Sequence, residues 1–377
     1  MDAKKLNIQV LSSWRGVLAV CIFLFHFGFK QEFCQLTWSG VVFFFVSSGF
    51  LLTVRHDGAD AAEGGGFRFW LARAMRLYPA HWLALLMFAV LAVLNGVFVP
   101  KAWPMAVNVL LLQTYVPVQE CFFSYNVLSW FLSALLLCYG LYPLLSRVWT
   151  RAGLAALWSI VVAWFCLNVA AISLADVEEV KNYLYVCPLE RVGEFALGMT
   201  LGQAWLRLGR TATKRQAWCM EACAWGCLAA FVAAQIIWAA ELEWYDATVM
   251  WWLPVGLLVW TMASCNGVEG PVGRLLLTRP FRFLGKISFE LYLYQAAAPM
   301  LLSVTMLPVV YHFTGVTLGH HDFWFVSVSV VSQTALSWLL HKWFTKPYWR
   351  WCSRRMGALA GNVKKAAVGN IGEKNAL

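Results

Sequence analysis

Ile8-Gln9-Val10-Leu11-Ser12-Ser13-Trp14-Arg15-Gly16-Val17-Leu18-Ala19-Val20-Cys21-Ile22-Phe23-Leu24-Phe25-His26-Phe27-Gly28-Phe29 is the stretch on which the fold turns. It is long and apolar enough to cross a hydrocarbon core, which takes about 20 mainly apolar residues. Met1-Asp2-Ala3-Lys4-Lys5 precedes it, as in a signal peptide, but no small-x-small cleavage site follows. The segment therefore reads as an uncleaved first span. Arg15 and His26 interrupt it. Eleven residues correspond to about 1100° of helical rotation and roughly 16 Å of rise, so both side chains lie on one face near opposite ends. Ionisable groups inside a membrane are costly and usually functional. Taken singly, Arg15 also reads as a snorkelling interfacial cation, and His26 as a packed, hydrogen-bonded ring. The pairing carries more information than either residue.

The rest of the chain repeats the apolar pattern. Of 377 residues, 61% are hydrophobic and 13% charged, against about 25% charged in a soluble protein. Mean hydropathy is +0.64, and the 22 Trp suit membrane–water interfaces. Ten candidate spans follow: 8–29, 36–55, 79–99, 126–147, 153–175, 183–206, 217–240, 247–266, 283–307 and 323–345. Val107 to Val116 is too short to span and reads as a re-entrant or interfacial piece.

Charge tests this count. Alternate connections carry Arg55, Arg68, Arg73 and Arg76, then Arg147 and Arg151, then Arg207, Arg210, Lys214 and Arg215, then Arg274, Arg279 and Arg282. The C-terminal segment adds Lys346, Arg350, Arg354, Arg355, Lys364 and Lys365. Two intervening connections are acidic: Asp176, Glu178 and Glu179 against Lys181, and Glu241, Glu243 and Asp246. Positive-inside topology then predicts an all-α polytopic bundle with both termini cytosolic. Residues 1–345 form its membrane domain, and 346–377 a basic, partly disordered tail. The net charge of +10 follows from topology, and nucleic-acid binding is not expected. The 11 Cys have no metal-ligand spacing. Cys219, Cys223 and Cys227 share a helix face, which reads as packing, and a Cys34–Cys121 disulfide is an open pairing.

A cation at one end of a span and a base three turns away suit a thioester carried on a long arm with phosphates at its far end. At this point a resemblance appears. Trp14-Arg15-Gly16 leading to His26 resembles the opening motif of the acyltransferase 3 family of membrane O-acyltransferases, in which Arg, ten residues and His recur. Gly40-Val41-Val42-Phe43-Phe44-Phe45-Val46-Ser47-Ser48-Gly49-Phe50-Leu51 is similar to that family's second-span motif. Arg73-Ala74-Met75-Arg76-Leu77-Tyr78-Pro79, Ser129-Trp130-Phe131-Leu132-Ser133 with Tyr142-Pro143-Leu144, and Arg191-Val192-Gly193-Glu194-Phe195 resemble later motifs. So does Leu284-Gly285-Lys286-Ile287-Ser288-Phe289-Glu290-Leu291-Tyr292. The likeness runs over roughly 8–345. Three positions depart from it: Val42 stands for the usual Asp, Leu135 for Glu and Gln295 for His.

The resemblance implies transfer of an acyl group, most often acetyl, from cytosolic acyl-CoA to a hydroxyl of a glycan or glycolipid. It implies a bacterial inner membrane, and acyl-CoA as a donor substrate rather than a resident cofactor. His26 is the expected general base, since neutral imidazole titrates near working pH. An acyl-histidine route stays open. Arg73 and Arg76 share a helix face and, with Arg15, are expected on the CoA phosphates. Arg191 and Glu194 read as a structural ion pair or as part of a CoA tunnel. Glu290 reads as a neutral hydrogen-bonding acid or as part of the acceptor site. Ser48, Trp130, Ser133, Ser288 and Tyr292 complete the candidates, and Gly49 is expected to permit close helix approach. A transporter of a glycan- or lipid-linked substrate is one alternative, although no internal repeat is visible. A relative that kept the scaffold and lost catalysis is the other.

Overall fold

The computed structural model describes residues 9–28, 30–56, 66–97, 101–175, 178–209, 212–238, 248–315, 317, 319 and 322–355. Among them every regular element is helical. The acidic residues expected to mark the outer connections lie outside the described side chains, as do Cys34 and the chain beyond 355. Cys121 is a buried free thiol.

The first apolar stretch is one unbroken helix, α1 (Gln9–Phe27). It is followed by α2 (Lys30–His56), which is buried from Ser39 to Val54 save for Leu51, and α3 (Gly66–Leu94). Then come α4 (Ala102–Val109), α5 (Gln119–Phe122), α6 (Ser129–Arg151), α7 (Leu154–Ser173) and α8 (Glu178–Val186). The chain ends with α9 (Pro188–Leu208), α10 (Lys214–Trp238), α11 (Trp252–Ser264), α12 (Pro271–Leu276), α13 (Arg279–Leu293), α14 (Ala297–Thr314) and α15 (Phe323–Leu340). Eight described helical segments are long and apolar enough to cross a membrane, and a shorter one covers Thr248–Ser264. The expected span 183–206 is corrected at its start: residues 183–186 end α8, the helix is interrupted at Cys187, and the remainder is α9. It carries Arg191, Glu194 and Gln203, is buried from Arg191 to Trp205, and is not one of those eight.

The expected span 283–307 is corrected: it is two helices, α13 and α14, parted at Tyr294–Ala296. Pro299 has no N–H to offer the carbonyl of Gln295, and the residue before a proline is biased away from helical geometry. At the start of α14 the Ala298 N–H donates to Gln333 Oε1 on α15 at 3.1 Å. Broken backbone at membrane depth survives only where protein supplies such partners.

Two glycine crossings set the core. A Cβ on Gly16 would overlap the backbone of Leu284 and Gly285, and one on Gly285 would overlap Ser12, so α1 and α13 touch backbone to backbone. Gly49 meets Phe195 and Gly198 meets Val46 in the same way, locking α2 to α9. Small residues allow this approach, and dispersion rewards it. The neighbours of these glycines, Arg15 and Ser48, are thereby brought into contact range.

The short 107–116 stretch folds back against the middle of α3. Tyr78 donates to the Leu110 carbonyl at 2.8 Å and Trp82 to the Val109 carbonyl at 3.0 Å, while His81 Nε2 meets the Asn108 carbonyl at 2.8 Å. Leu111 sits at its tip with φ 56°, a left-handed conformation that costs a non-glycine residue about 1–2 kcal/mol. Ser133 anchors the tip by donating to the Leu111 carbonyl at 2.7 Å.

Candidate active site

A cavity of about 780 Å³ opens among α1, α2, α3, α6, α13 and the C-terminal extension of α15. That is the size of pockets that enclose drug-sized ligands. Five arginines line it: Arg15, Arg55, Arg68, Arg73 and Arg76. Among the described residues no carboxylate lines it. A concentration of like charge in a partly enclosed, low-dielectric cleft attracts anions strongly.

The arginines are held by their surroundings. Arg15 Nη2 donates to Ser48 Oγ at 2.9 Å and to the Phe44 carbonyl at 3.4 Å. Ser48 in turn donates to the same carbonyl at 2.6 Å. The Arg15 guanidinium also lies 5.6 Å from the Phe44 ring centre. Arg73 sits between Phe69 and Tyr139, at 5.1 and 5.3 Å. Arg76 lies 5.5 Å from the centre of the Trp349 ring. Such cation–π contacts fix a guanidinium without neutralising it.

Phe44, Phe131 and Tyr292 meet edge to face at the deeper side of the cavity, with ring centres 5.8, 5.8 and 5.4 Å apart. Three residues beyond Tyr292, at the break between α13 and α14, the Gln295 amide lies 3.2 Å from His26 Nδ1. His26 is exposed and does not line the cavity. α1 runs unbroken past both Arg15 and His26, but of the two only Arg15 lines the cavity, together with the three rings. His26 Nδ1 lies 2.8 Å from the Ile22 carbonyl. A carbonyl oxygen only accepts, so the neutral ring carries its proton on Nδ1 and presents Nε2 as the basic nitrogen.

The structure thus gathers Arg15, Ser48, Arg73, Arg76, Ser288 and Tyr292 around one cavity. Ser288 donates to the Gly285 carbonyl at 3.0 Å, and the Tyr292 hydroxyl to the Leu128 carbonyl at 3.3 Å. Other candidates fall elsewhere. Arg191 Nη1 donates to Glu194 Oε1 in a fully buried pair, with Glu190 3.6 Å from the same guanidinium. Trp130 is buried with its ring 4.8 Å from that of Tyr185, and Arg191 lies 5.3 Å from the Tyr185 ring. Ser133 serves the re-entrant tip. Glu290 is buried, with Oε1 3.0 Å from His341 Nδ1.

Of the three departures, Val42 is buried in the core, Leu135 lines the cavity and Gln295 touches His26. Sequence reasoning named Arg55 and Arg68 only as topological charges. It missed Tyr139 and Trp349, and Trp349 carried no signal because it lies beyond the last expected span.

An acyltransferase-domain family model matches residues 9–342. No curated protein and no solved structure matches the chain.

Proposed function

This chain belongs to the acyltransferase-domain family, matched over nearly its whole length, and is a membrane acyltransferase; from that premise we propose that it moves an acyl group, acetyl in the simplest case, from acyl-CoA to a hydroxyl of a cell-surface glycan or glycolipid. The observation that carries the donor half is the cavity lined by five arginines, with no carboxylate among its described lining residues. Coenzyme A brings phosphates, which guanidinium groups bind in bidentate fashion. Positive-inside topology turns this cavity toward the cytosol of a bacterial inner membrane, where acyl-CoA is made.

The arm of the donor runs from these arginines past Phe44, Phe131 and Tyr292 and brings the thioester to His26, roughly 16 Å from Arg15 along α1. His26 Nε2 takes the proton of the acceptor hydroxyl as its oxygen attacks the thioester carbonyl. The carbon–sulfur bond breaks, and the imidazolium returns the proton to the leaving thiolate. General-base help of this kind contributes roughly 10²- to 10⁴-fold. The Ile22 carbonyl holds the productive tautomer throughout.

The test is made with the purified protein in lipid nanodiscs, given radiolabelled acetyl-CoA and an isolated surface-glycan and glycolipid fraction. Acceptor-dependent release of free CoA, with label passing to the glycan, is expected. Intact donor after prolonged incubation with every acceptor fraction would overturn the reading.

A further inference from the structure

The last expected span ends at residue 345, yet the helix continues to Arg355. At His341–Thr345 it widens into a π-turn. Pro347 explains this locally, because it has no N–H for the carbonyl of Trp343. One inserted residue rotates everything beyond it by about 100°, and such π-turns recur at functional sites. The phase is fixed from outside as well, since His341 Nδ1 lies 3.0 Å from Glu290 Oε1. Glu290 stands two residues from both Ser288 and Tyr292, which line the cavity.

The consequence is the placement of Trp349. Its half-buried indole lines the cavity, 5.5 Å from the Arg76 guanidinium and 6.3 Å from the Phe289 ring. Building on the acyl-CoA reading, we propose that Trp349 is a specificity-determining residue: a stacking surface for the purine base of the donor, with Arg76 binding the attached phosphate. The donor has one flat aromatic group, at its phosphate end. Phe69 and Tyr139 are taken up by the Arg73 guanidinium between them, and Trp349 adds the cavity's one described indole, in contact with Arg76. The Phe44–Phe131–Tyr292 rings lie deeper, toward His26, where the donor is an aliphatic arm. Purines stack on indole and on guanidinium planes with little demand on hydrogen bonding.

The experiment compares acetyl-CoA with acetyl-pantetheine, which has the same thioester and arm but no nucleotide. The wild-type enzyme is expected to favour acetyl-CoA in kcat/KM. Trp349→Ala should shrink that preference about tenfold, the scale of one lost base–aromatic stack, while Trp349→Phe keeps most of it. Adenosine 3′,5′-bisphosphate should inhibit Trp349→Ala about tenfold more weakly than wild type. A preference left unchanged in Trp349→Ala, whether through equal loss on both donors or no loss at all, overturns the proposal. A wild-type enzyme that turns over acetyl-pantetheine as well as acetyl-CoA overturns it while sparing the acyl-transfer reading. A wild-type enzyme that consumes neither donor removes that reading and this inference with it.

Discussion

The two ends of α1 are built on opposite principles. Around Arg15, glycine crossings bring backbones together, and each of three guanidiniums is pinned against aromatic rings or a serine hydroxyl. Around His26 the partner helix is broken, the imidazole is exposed, and its contacts include one carbonyl and one amide. The first end is rigid and charged before any ligand arrives, which lowers the ordering cost of binding. The second holds one proton in a defined place and leaves room for an acceptor. On the proposed reading the contrast separates a binding end from a reacting end, so mutations at the two should divide cleanly between KM and kcat.

The sharpest break is His26→Ala. Acyl transfer should fall by roughly 10²- to 10⁴-fold while acyl-CoA binding, measured by isothermal titration, stays close to wild type. Near-normal transfer, or a loss confined to donor affinity, would erase the distinction between the ends.

At the other end, Arg73→Ala and Arg76→Ala should each raise KM for acyl-CoA about 10- to 100-fold, with kcat much less affected. A charge-assisted hydrogen bond contributes about 1.5–3 kcal/mol. Steady-state kinetics at saturating acceptor read this directly, and unchanged KM values in both variants would leave the arginines with a topological role alone.

Gln295→Leu sharpens the reacting end. It removes the amide beside His26, whose oxygen, with the amide turned oxygen-first, shares the Nδ1 proton with the Ile22 carbonyl, so kcat should drop by about tenfold or less, in line with one neutral hydrogen bond. Gln295→His should restore most of that loss, because a second imidazole can also serve Nδ1.

The smallest effect is expected from Ser48→Ala. It frees one bond to Arg15, a loss of about 0.5–1.5 kcal/mol, and should raise KM for acyl-CoA by a few-fold at unchanged kcat. A change in kcat without one in KM would mean that Arg15 serves the reacting end.

The sequence by itself determined the membrane class, the all-helical bundle and the placing of Arg15 and His26 on one continuous helix. Each depends only on local quantities: the apolar length needed to cross a bilayer, the 3.6-residue helical period and the cost of charge in hydrocarbon. It also marked 107–116 as a segment that does not span. Tertiary structure alone decided the rest. That Arg73 and Arg76 share a cavity with Arg15, while Arg191 and Glu194 close on each other, depends on which helices meet at Gly16, Gly49, Gly198 and Gly285. That His26 faces Gln295 depends on the break ahead of Pro299, and that Trp349 joins the arginines depends on a π-turn phased by His341 and Glu290. Helical spacing ranks faces within one helix; only packing fixes which faces of different helices share a space.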